Sequence, residues 1–236
     1  MRLDRLLANL GAATRSECHT LVQRGRVTVN GVTVKSTDQS VQPGDTVTVN
    51  GQTLDTRLSR HLMLYKPAGV LTAAEDARQK TVMELLPRTY NALGCMPIGR
   101  LDKDTTGLLL LTTDGELAHR LISPKRHVDK VYEAYVDGEL TEQDAEAFRK
   151  GIPLKDFTAL PAKLEILEKD HALVTVQEGK YHQVKRMFGA LDKPVLRLHR
   201  RSFGPLALDA ALQLGEYREL SEEEIAALYR AAGMEV

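Results

Sequence analysis

Four consecutive leucines lie at positions 108–111, near the middle of the chain. They follow a polar segment that starts at Gly99 and they precede the pair Asp114-Gly115, so we predict a strand at residues 108–112 that is buried on both faces. The run is far shorter than the about 20 apolar residues that a membrane span needs. A chain of 236 residues can bury such a strand in a sizeable core, as one large domain or two smaller ones.

Short strands and helices are mixed around this central strand. They do not alternate strictly along the chain, so we predict an α+β fold with a mixed, largely antiparallel sheet rather than a doubly wound one. The predicted strands are residues 61–65, 108–112, 130–136, 164–167 and 172–176, and the predicted helices are residues 116–122, 142–150, 180–191 and 222–232.

The N-terminal region has a pattern of its own. Leucines at positions 3, 6, 7 and 10 recur with helical spacing. A second helix is predicted to start at Thr14, because Glu17 follows three residues later, as in a capping box. Residues 27–34 alternate with period two around Asn30-Gly31, which predicts a tight hairpin. A further strand is predicted at residues 46–49, and the polar residues 55–61 are predicted to be a linker.

The charge of the chain is balanced overall but unevenly distributed. It has 32 basic and 32 acidic residues, yet residues 180–201 carry seven Lys and Arg against one Asp. Residues 205–236 carry two basic against seven acidic residues. Because a polyanion responds to the local field rather than to the net charge, neutrality does not exclude RNA as a partner.

Several other function classes lack their usual sequence marks. No phosphate loop, GxGxxG, HExxH or GxSxG pattern occurs. The two cysteines are too few for a disulfide framework or a cysteine zinc cluster. No apolar stretch of the kind found in signal peptides follows Met1, and together these features favour a protein of the reducing cytoplasm.

The N-terminal pattern of two helices and short strands resembles the S4 RNA-binding module. The likeness also rests on Arg2-Leu3-Asp4, Arg15-Ser16 and the glycine, valine and Asn-Gly positions of residues 25–31. It implies an S4 domain at residues 1–59 whose helices present basic side chains to folded RNA. The arginines at the matching positions are Arg2, Arg5, Arg15, Arg24 and Arg26.

The central polar loop holds the residues with the most chemical interest. Taken alone, residues 99–107 are more typical of an ordinary turn than of a catalytic loop, because Asp and Gly dominate turns. However, Gly99-Arg100-Leu101-Asp102, the leucine run and the Asp-Gly pair that follow it resemble the signature of pseudouridine synthases. Tyr65-Lys66-Pro67 and residues 178–187 match the branch of that family with an N-terminal S4 domain. The resemblance implies a catalytic domain at residues 60–236, and in detail it points to the enzymes that modify small-subunit (16S) ribosomal RNA.

The resemblance implies a uridine isomerase that needs no cofactor and no metal. Asp102 is the essential carboxylate, which either attacks C1′ of the ribose or takes its 2′ proton. Lys185 is expected to form an ion pair with Asp102, with Arg100 as the alternative partner. Tyr132 is expected to stack on the flipped uracil, because an unstacked base needs a new aromatic face. Without the resemblance, a core position for Tyr132 would be equally expected.

The basic stretch after residue 180 is predicted to contact RNA phosphates. The residues expected to bind RNA there and in the central loop are Arg100, His182, Arg186, Arg200 and Arg201. The expected partner is 16S ribosomal RNA or an assembly intermediate of the small subunit, bound by a monomer away from membranes. Three alternatives remain open: a non-catalytic S4-type adaptor in ribosome assembly, a synthase acting on large-subunit RNA, and a glycoside hydrolase. The last normally needs two partnered carboxylates.

Overall fold

The computed structural model describes residues 1–235, which divide into two compact units. The N-terminal unit comprises Met1–Arg60 and Leu86–Cys95, and the C-terminal unit comprises residues 61–85 together with residues 96–235. Within these described residues, no helix has both the length and the apolar character that crossing a membrane demands.

The N-terminal unit contains the two predicted helices and a small antiparallel sheet with strand order β2-β1-β3-β4. The predicted capping box is formed, since Glu17 N donates to Thr14 Oγ1 over 3.2 Å and Thr14 N donates to Glu17 Oε2 over 2.7 Å. A short helix, α3, belongs to this unit although it follows residue 60 in the chain. The elements are α1 Leu3–Asn9, α2 Arg15–Gln23, β1 Val27–Val29, β2 Val32–Thr33, β3 Val47–Val49, β4 Gln52–Thr53 and α3 Arg88–Ala92.

The C-terminal unit is built on one sheet of nine strands. Seven of them follow the order β13-β5-β7-β11-β8-β10-β9, and the two short strands β6 and β12 pair with β7 and β11. Only β7 and β11 pair in parallel, and the other described pairings of this sheet are antiparallel. This confirms the predicted mixed, largely antiparallel α+β architecture. The strands are β5 His61–Lys66, β6 Met96–Pro97, β7 Thr106–Thr112, β8 Lys130–Val136, β9 Lys163–Glu168, β10 His171–Val176, β11 Val195–Phe203, β12 Leu206–Ala207 and β13 Tyr217–Glu219.

Three helices of this unit begin within one residue of their predicted positions. Asp114 caps the first of them by accepting a hydrogen bond from Leu117 N over 2.9 Å. Ser221 and Glu224 form a reciprocal capping box at the last. The helices are α4 Gly115–Ile122, α5 Glu142–Lys150, α6 Gln183–Gly189 and α7 Glu222–Ala231, and two 3₁₀ turns lie at Val82–Leu85 and Pro124–Arg126. Helix α6 starts later than predicted, because His182 has a left-handed backbone with φ of 49°.

The leucine strand β7 is buried on both faces, as predicted. All four of its leucines are inaccessible to solvent. Leu108 and Leu110 contribute to a core with Met63, Phe203 and the leucines of α4 and α7. The neighbour of β7 on one side is β5 and on the other side β11. The sequence of β11 predicts a basic strip that contacts RNA, so its position as a central strand corrects that expectation. The polar loop before β7 therefore leads directly into the best-buried part of the sheet.

Candidate active site

The loop that carries Asp102 is fixed at its C-terminal end by a close approach of two strands. Gly107 pairs in parallel with Arg200 of β11. A Cβ atom at position 107 would lie 2.3 Å from the carbonyl oxygen of Arg200, and the φ angle of Gly107 is +113°, so only glycine fits there. Inside the loop, Thr105 N donates to the carbonyl oxygen of Asp102 over 3.1 Å. The loop is thus a tight turn anchored on the centre of the sheet.

Lys66 holds the main chain of the same loop. Its side chain is completely buried, and its ammonium donates to the carbonyl oxygens of Pro67, Asp102, Lys103 and Thr105 over 3.0, 3.0, 3.3 and 2.9 Å. Burial lowers the pKa of Lys66 to about 8, although the charges of Asp104 and Asp102 oppose that change. No local sequence pattern indicates this role of Lys66, because most of the carbonyl groups that it binds are distant in the chain.

Thr72 gives the loop a second internal support. Its buried hydroxyl donates to the carbonyl oxygen of Leu101 over 2.9 Å and accepts a hydrogen bond from Leu101 N over 3.2 Å. Both polar groups of the residue before Asp102 are therefore satisfied by one side chain. Such a loop holds its carboxylate in a defined position, as a reacting group requires.

The carboxylate of Asp102 is partly buried, with 24% of its side chain exposed, and it lies beside two basic groups. Lys185 Nζ is 3.2 Å from Oδ2, and His182 Nε2 is 3.5 Å from Oδ1. Arg100, the alternative partner, is exposed, and no ion pair joins it to Asp102 within the described residues. Of the two cations considered, the structure brings only Lys185 to the carboxylate.

Lys185 also contacts a second carboxylate. Its Nζ lies 2.5 Å from Asp104 Oδ1. Burial lowers the pKa of Lys185, but its bonds to Asp104 and Asp102 outweigh that effect and leave the pKa above its ordinary value. The same bond to Lys185 lowers the pKa of Asp104. The ammonium is therefore firmly charged and is shared by both acidic groups of the loop.

A pocket opens above Asp102, with about 420 Å³ of space when the solvent at its mouth is included. Tyr132 of β8 lines it and is only 8% exposed. The polar side chains of its wall include those of Arg100, Asp102, Thr105, Tyr132, His182 and Lys185. Asp102, Tyr132 and Lys185 thus surround one cavity.

Arg200, which the sequence predicts as an RNA-binding residue, lies inside the protein and not on its surface. Only 1% of it is exposed. Side chains of a strand point alternately to the two faces, so Arg200 follows the buried Leu198 inward while Arg201 points out. Arg200 Nε donates to Leu108 O over 2.7 Å, and Nη1 lies 3.4 Å from Tyr132 Oη. A guanidinium held there does not reach a phosphate on the surface.

Comparison with known proteins identifies the family. Residues 60–190 match the model of the RNA pseudouridylate synthase family, and residues 1–47 match the S4 domain. The chain belongs to the RNA pseudouridylate synthases. It is therefore an isomerase that converts uridine to pseudouridine, with an S4 domain preceding the synthase domain.

Full-length relatives support this assignment. An uncharacterized RNA pseudouridine synthase of Bacillus subtilis (strain 168) is 46% identical, over 95% of this chain and 97% of its own length. The ribosomal small subunit pseudouridine synthase A of Vibrio cholerae is 40% identical over 98% of this chain and all of its own. A crystal structure of a pseudouridylate synthase, 38% identical, covers 97% of this chain and is itself covered to 99%, with a TM-score of 0.68.

The remaining basic residues of this synthase fall into two groups. Arg5, Arg15, Arg24 and Arg26 are exposed in the N-terminal unit, and no ion pair engages them within residues 1–235, whereas Arg2 is bonded to Asp4 over 2.9 Å. In the C-terminal unit Arg186 pairs with Asp156, and Arg201 is exposed, 3.9 Å from Glu133. These contacts do not themselves reveal RNA binding, which stays a prediction for all of these residues.

One residue of this region escaped the sequence analysis. Tyr181 is 75% exposed, and its ring stacks on His182 with the ring centres 3.8 Å apart. His182 itself lines the pocket, so an exposed aromatic surface adjoins the site. Large aromatic side chains are usually buried, and the position of Tyr181 beside a basic run was the available signal.

Proposed function

We propose that this synthase converts one uridine of small-subunit (16S) ribosomal RNA to pseudouridine, with Asp102 as the essential carboxylate. The proposal is supported by a single arrangement above all, the pocket that joins Asp102, Lys185 and Tyr132. The choice of RNA draws on the relatives in Vibrio cholerae and Escherichia coli, which are named ribosomal small subunit pseudouridine synthase A. We further propose that the chain acts as a monomer in the cytoplasm.

The reaction requires one bond to break and another to form at the same ribose carbon. The bond between C1′ and N1 breaks, and its electron pair leaves with the base. The base then rotates and C5 bonds to C1′, which releases C1′ from Asp102 on the first route described below or is matched by return of the proton to C2′ on the second. The hydrogen at C5 departs as a proton and N1 takes up a proton, so the product is an isomer of the starting uridine. Asp102 starts this sequence either by attacking C1′ or by taking the 2′ proton, and both routes use an ionised carboxylate.

Lys185 and Tyr132 have distinct parts in this scheme. Lys185, 3.2 Å from Asp102, supplies the positive charge that a carboxylate needs when a bound nucleotide expels water from the pocket. Tyr132 offers its ring to the base that has left the RNA stack. The exposed arginines of the N-terminal unit would anchor the RNA by its phosphates, which fixes position without reading sequence.

The test is a map of pseudouridine in ribosomal RNA from cells that lack this chain. We expect one position in the small-subunit RNA to lose its modification, and we expect the wild-type gene but not Asp102→Asn to restore it. Asp104→Asn is the matched control, since Asp104 shares the loop and the contact with Lys185. Loss of a position in large-subunit RNA instead would overturn the choice of RNA and leave the isomerase assignment intact.

A further inference from the structure

Arg200 has no counterion. It is the largest fully buried side chain of the described residues. Its guanidinium bonds only neutral groups, Leu108 O and Tyr132 Oη, and its Nη2 atom has no hydrogen-bond partner at all. No carboxylate of residues 1–235 lies within ion-pair distance of it. An unpaired buried charge lowers the stability of the fold, so packing alone does not explain why Arg200 is buried here.

The backbone holds this charge rigidly in place. Arg200 sits at the parallel contact with Gly107, where the two strands approach so closely that no side chain fits at position 107. The bond of Nε to Leu108 O, 2.7 Å long, fixes the guanidinium to the same strand. The carbon atom of the guanidinium lies 5.9 Å from the ring centre of Tyr132, whose side chain lines the pocket. Arg200 is therefore a fixed cation directly behind the aromatic wall of the site.

Two further buried cations accompany Arg200. Lys130 Nζ donates to the carbonyl oxygen of Val128 over 2.9 Å, and Lys66 donates only to main-chain carbonyl groups. Burial lowers the pKa of each lysine to about 8, and the charge of Arg200 adds to this effect on both. Three buried positive side chains thus lie near the site, and of these Arg200 is the one that contacts Tyr132.

The reaction creates the negative charge that this interior lacks. When the bond between C1′ and N1 breaks, the base carries the electron pair and becomes an anion whose charge is shared by its two carbonyl oxygens. We propose that Arg200 is a positioning residue that stabilises this detached uracil anion, acting through Tyr132. This inference rests on the proposed function of the Asp102 pocket and assigns a role that Asp102, Lys185 and Tyr132 leave open.

Tyr132 is suited to transmit the effect. Its hydroxyl accepts a hydrogen bond from the cationic Arg200, which makes its own O–H a stronger donor. The guanidinium of Arg200 also lies over the ring of Tyr132. A cation that is already in place when charge develops needs no reorganisation, which is the condition for effective electrostatic stabilisation.

The experiment compares Arg200→Gln, which removes the charge but keeps an amide donor for Leu108 O, with Arg200→Lys, which keeps the charge. Single-turnover rates are measured at saturating enzyme on a small-subunit rRNA transcript, as loss of the starting nucleoside at the target position. We expect Arg200→Gln to be about 10- to 100-fold slower, somewhat less than the loss of a donor in direct contact with the reacting group. Arg200→Lys should retain most of the rate, and the affinity for the transcript should not change in either variant.

A second transcript, made with 5-fluorouridine, tests the charge itself. Fluorine withdraws electrons and makes the departing base a more stable anion, so the defect of Arg200→Gln should be several-fold smaller on it. In a Tyr132→Phe background the effect of Arg200→Gln should also be smaller, because the hydrogen bond between Arg200 and the hydroxyl of Tyr132 is already absent. An Arg200→Gln rate equal to wild type, or the same defect on both transcripts, would overturn the inference, since a merely structural role affects both equally.

Two controls keep the outcomes distinct. If wild-type enzyme does not convert the naked small-subunit transcript, the same comparison is made on an assembly intermediate of the small subunit, or on another RNA if the pseudouridine map identifies one. If Arg200→Gln does not fold, judged by circular dichroism, Tyr132→Phe carries the test, because its defect must likewise shrink on the fluorinated transcript. An equal defect of Tyr132→Phe on both transcripts then refutes the role of Arg200.

Discussion

The Nζ atom of Lys66 lies 3.0 Å from the main-chain carbonyl oxygen of Asp102. A buried lysine therefore holds the backbone of this residue, while Lys185 holds its carboxylate 3.2 Å away. The two lysines therefore have different roles, since Lys66 fixes the loop and Lys185 places a positive charge beside the carboxylate. Reactions at a bound nucleotide are sensitive to such positioning, because a shift of about 1 Å can lower a rate about 100-fold.

The first prediction concerns the carboxylate. Asp102→Asn keeps the size of the side chain and removes the charge that both routes of the reaction need. We expect no detectable pseudouridine in a single-turnover assay, with RNA affinity close to that of wild type. Measurable turnover by a protein shown by mass spectrometry to be free of deamidation would remove Asp102 from its role.

The second prediction concerns the support of the loop. Lys66→Met leaves four carbonyl oxygens without their shared donor, so the loop should loosen and turnover should fall about 100-fold. Lys103→Met is the matched control, because Lys103 is exposed in the same loop and its Nζ bonds only the side chain of Gln79. Equal rates for the two variants would show that the bonds of Lys66 do not control catalysis.

Much of the fold was predictable because its signals are local. The capping boxes at Thr14 and Ser221 and the alternating strand Lys130–Val136 appear where the sequence placed them. The leucine run is buried on both faces because nothing polar interrupts it. Such elements need only their own residues and a core to pack against.

The remainder depends on contacts between distant residues. In β11, three residues that are basic or histidine, at positions 197, 199 and 201, alternate with inward-facing ones, so the strand resembles a solvated basic strip in sequence. Only its pairing with β7 and β8 shows that Arg200 is inside. The bonds of Lys66 and the position of α3 in the N-terminal unit likewise depend on tertiary packing, which has no periodicity to detect.

The third prediction is a pH dependence of stability. Burial, and to a lesser degree the charge of Arg200, lowers the pKa of Lys130 to about 8, against an ordinary value of 10.5. Because the unfolded chain holds this proton more tightly, the charged lysine destabilises the fold below pH 8, and stability recovers as the pH rises towards 10.5. Lys130→Met should therefore gain about 2–3 kcal/mol at pH 7 and lose most of that gain near pH 10. Urea unfolding at both pH values measures the difference, and a gain independent of pH would contradict it.

The fourth prediction separates the two carboxylates that share Lys185. Lys185→Met leaves Asp102 without its nearest cation, and we expect the free energy of unfolding to fall by about 1–3 kcal/mol. This is less than for a fully buried ion pair, because both side chains keep some exposure to solvent. Turnover should fall more than RNA affinity. Asp104→Asn should lower the free energy of unfolding by less than about 1 kcal/mol, since Asp104 is largely exposed. If Lys185→Met weakens RNA binding and leaves the rate at saturation unchanged, Lys185 is a phosphate contact instead.

The last prediction concerns the N-terminal unit, which offers exposed arginines but no residue of the Asp102 pocket. Replacing Arg5, Arg15, Arg24 and Arg26 with alanine should weaken RNA binding and flatten its salt dependence, because each lost phosphate contact lowers the slope of log affinity against log salt by about 0.7–0.9. Arg57→Ala is the control, since the guanidinium of Arg57 is already bonded to Asp55. The single-turnover rate at saturating RNA should persist at least in part, because the pocket around Asp102 is intact. Loss of turnover at saturation would mean that these arginines also shape the substrate, and an unchanged slope would mean that they do not touch phosphate.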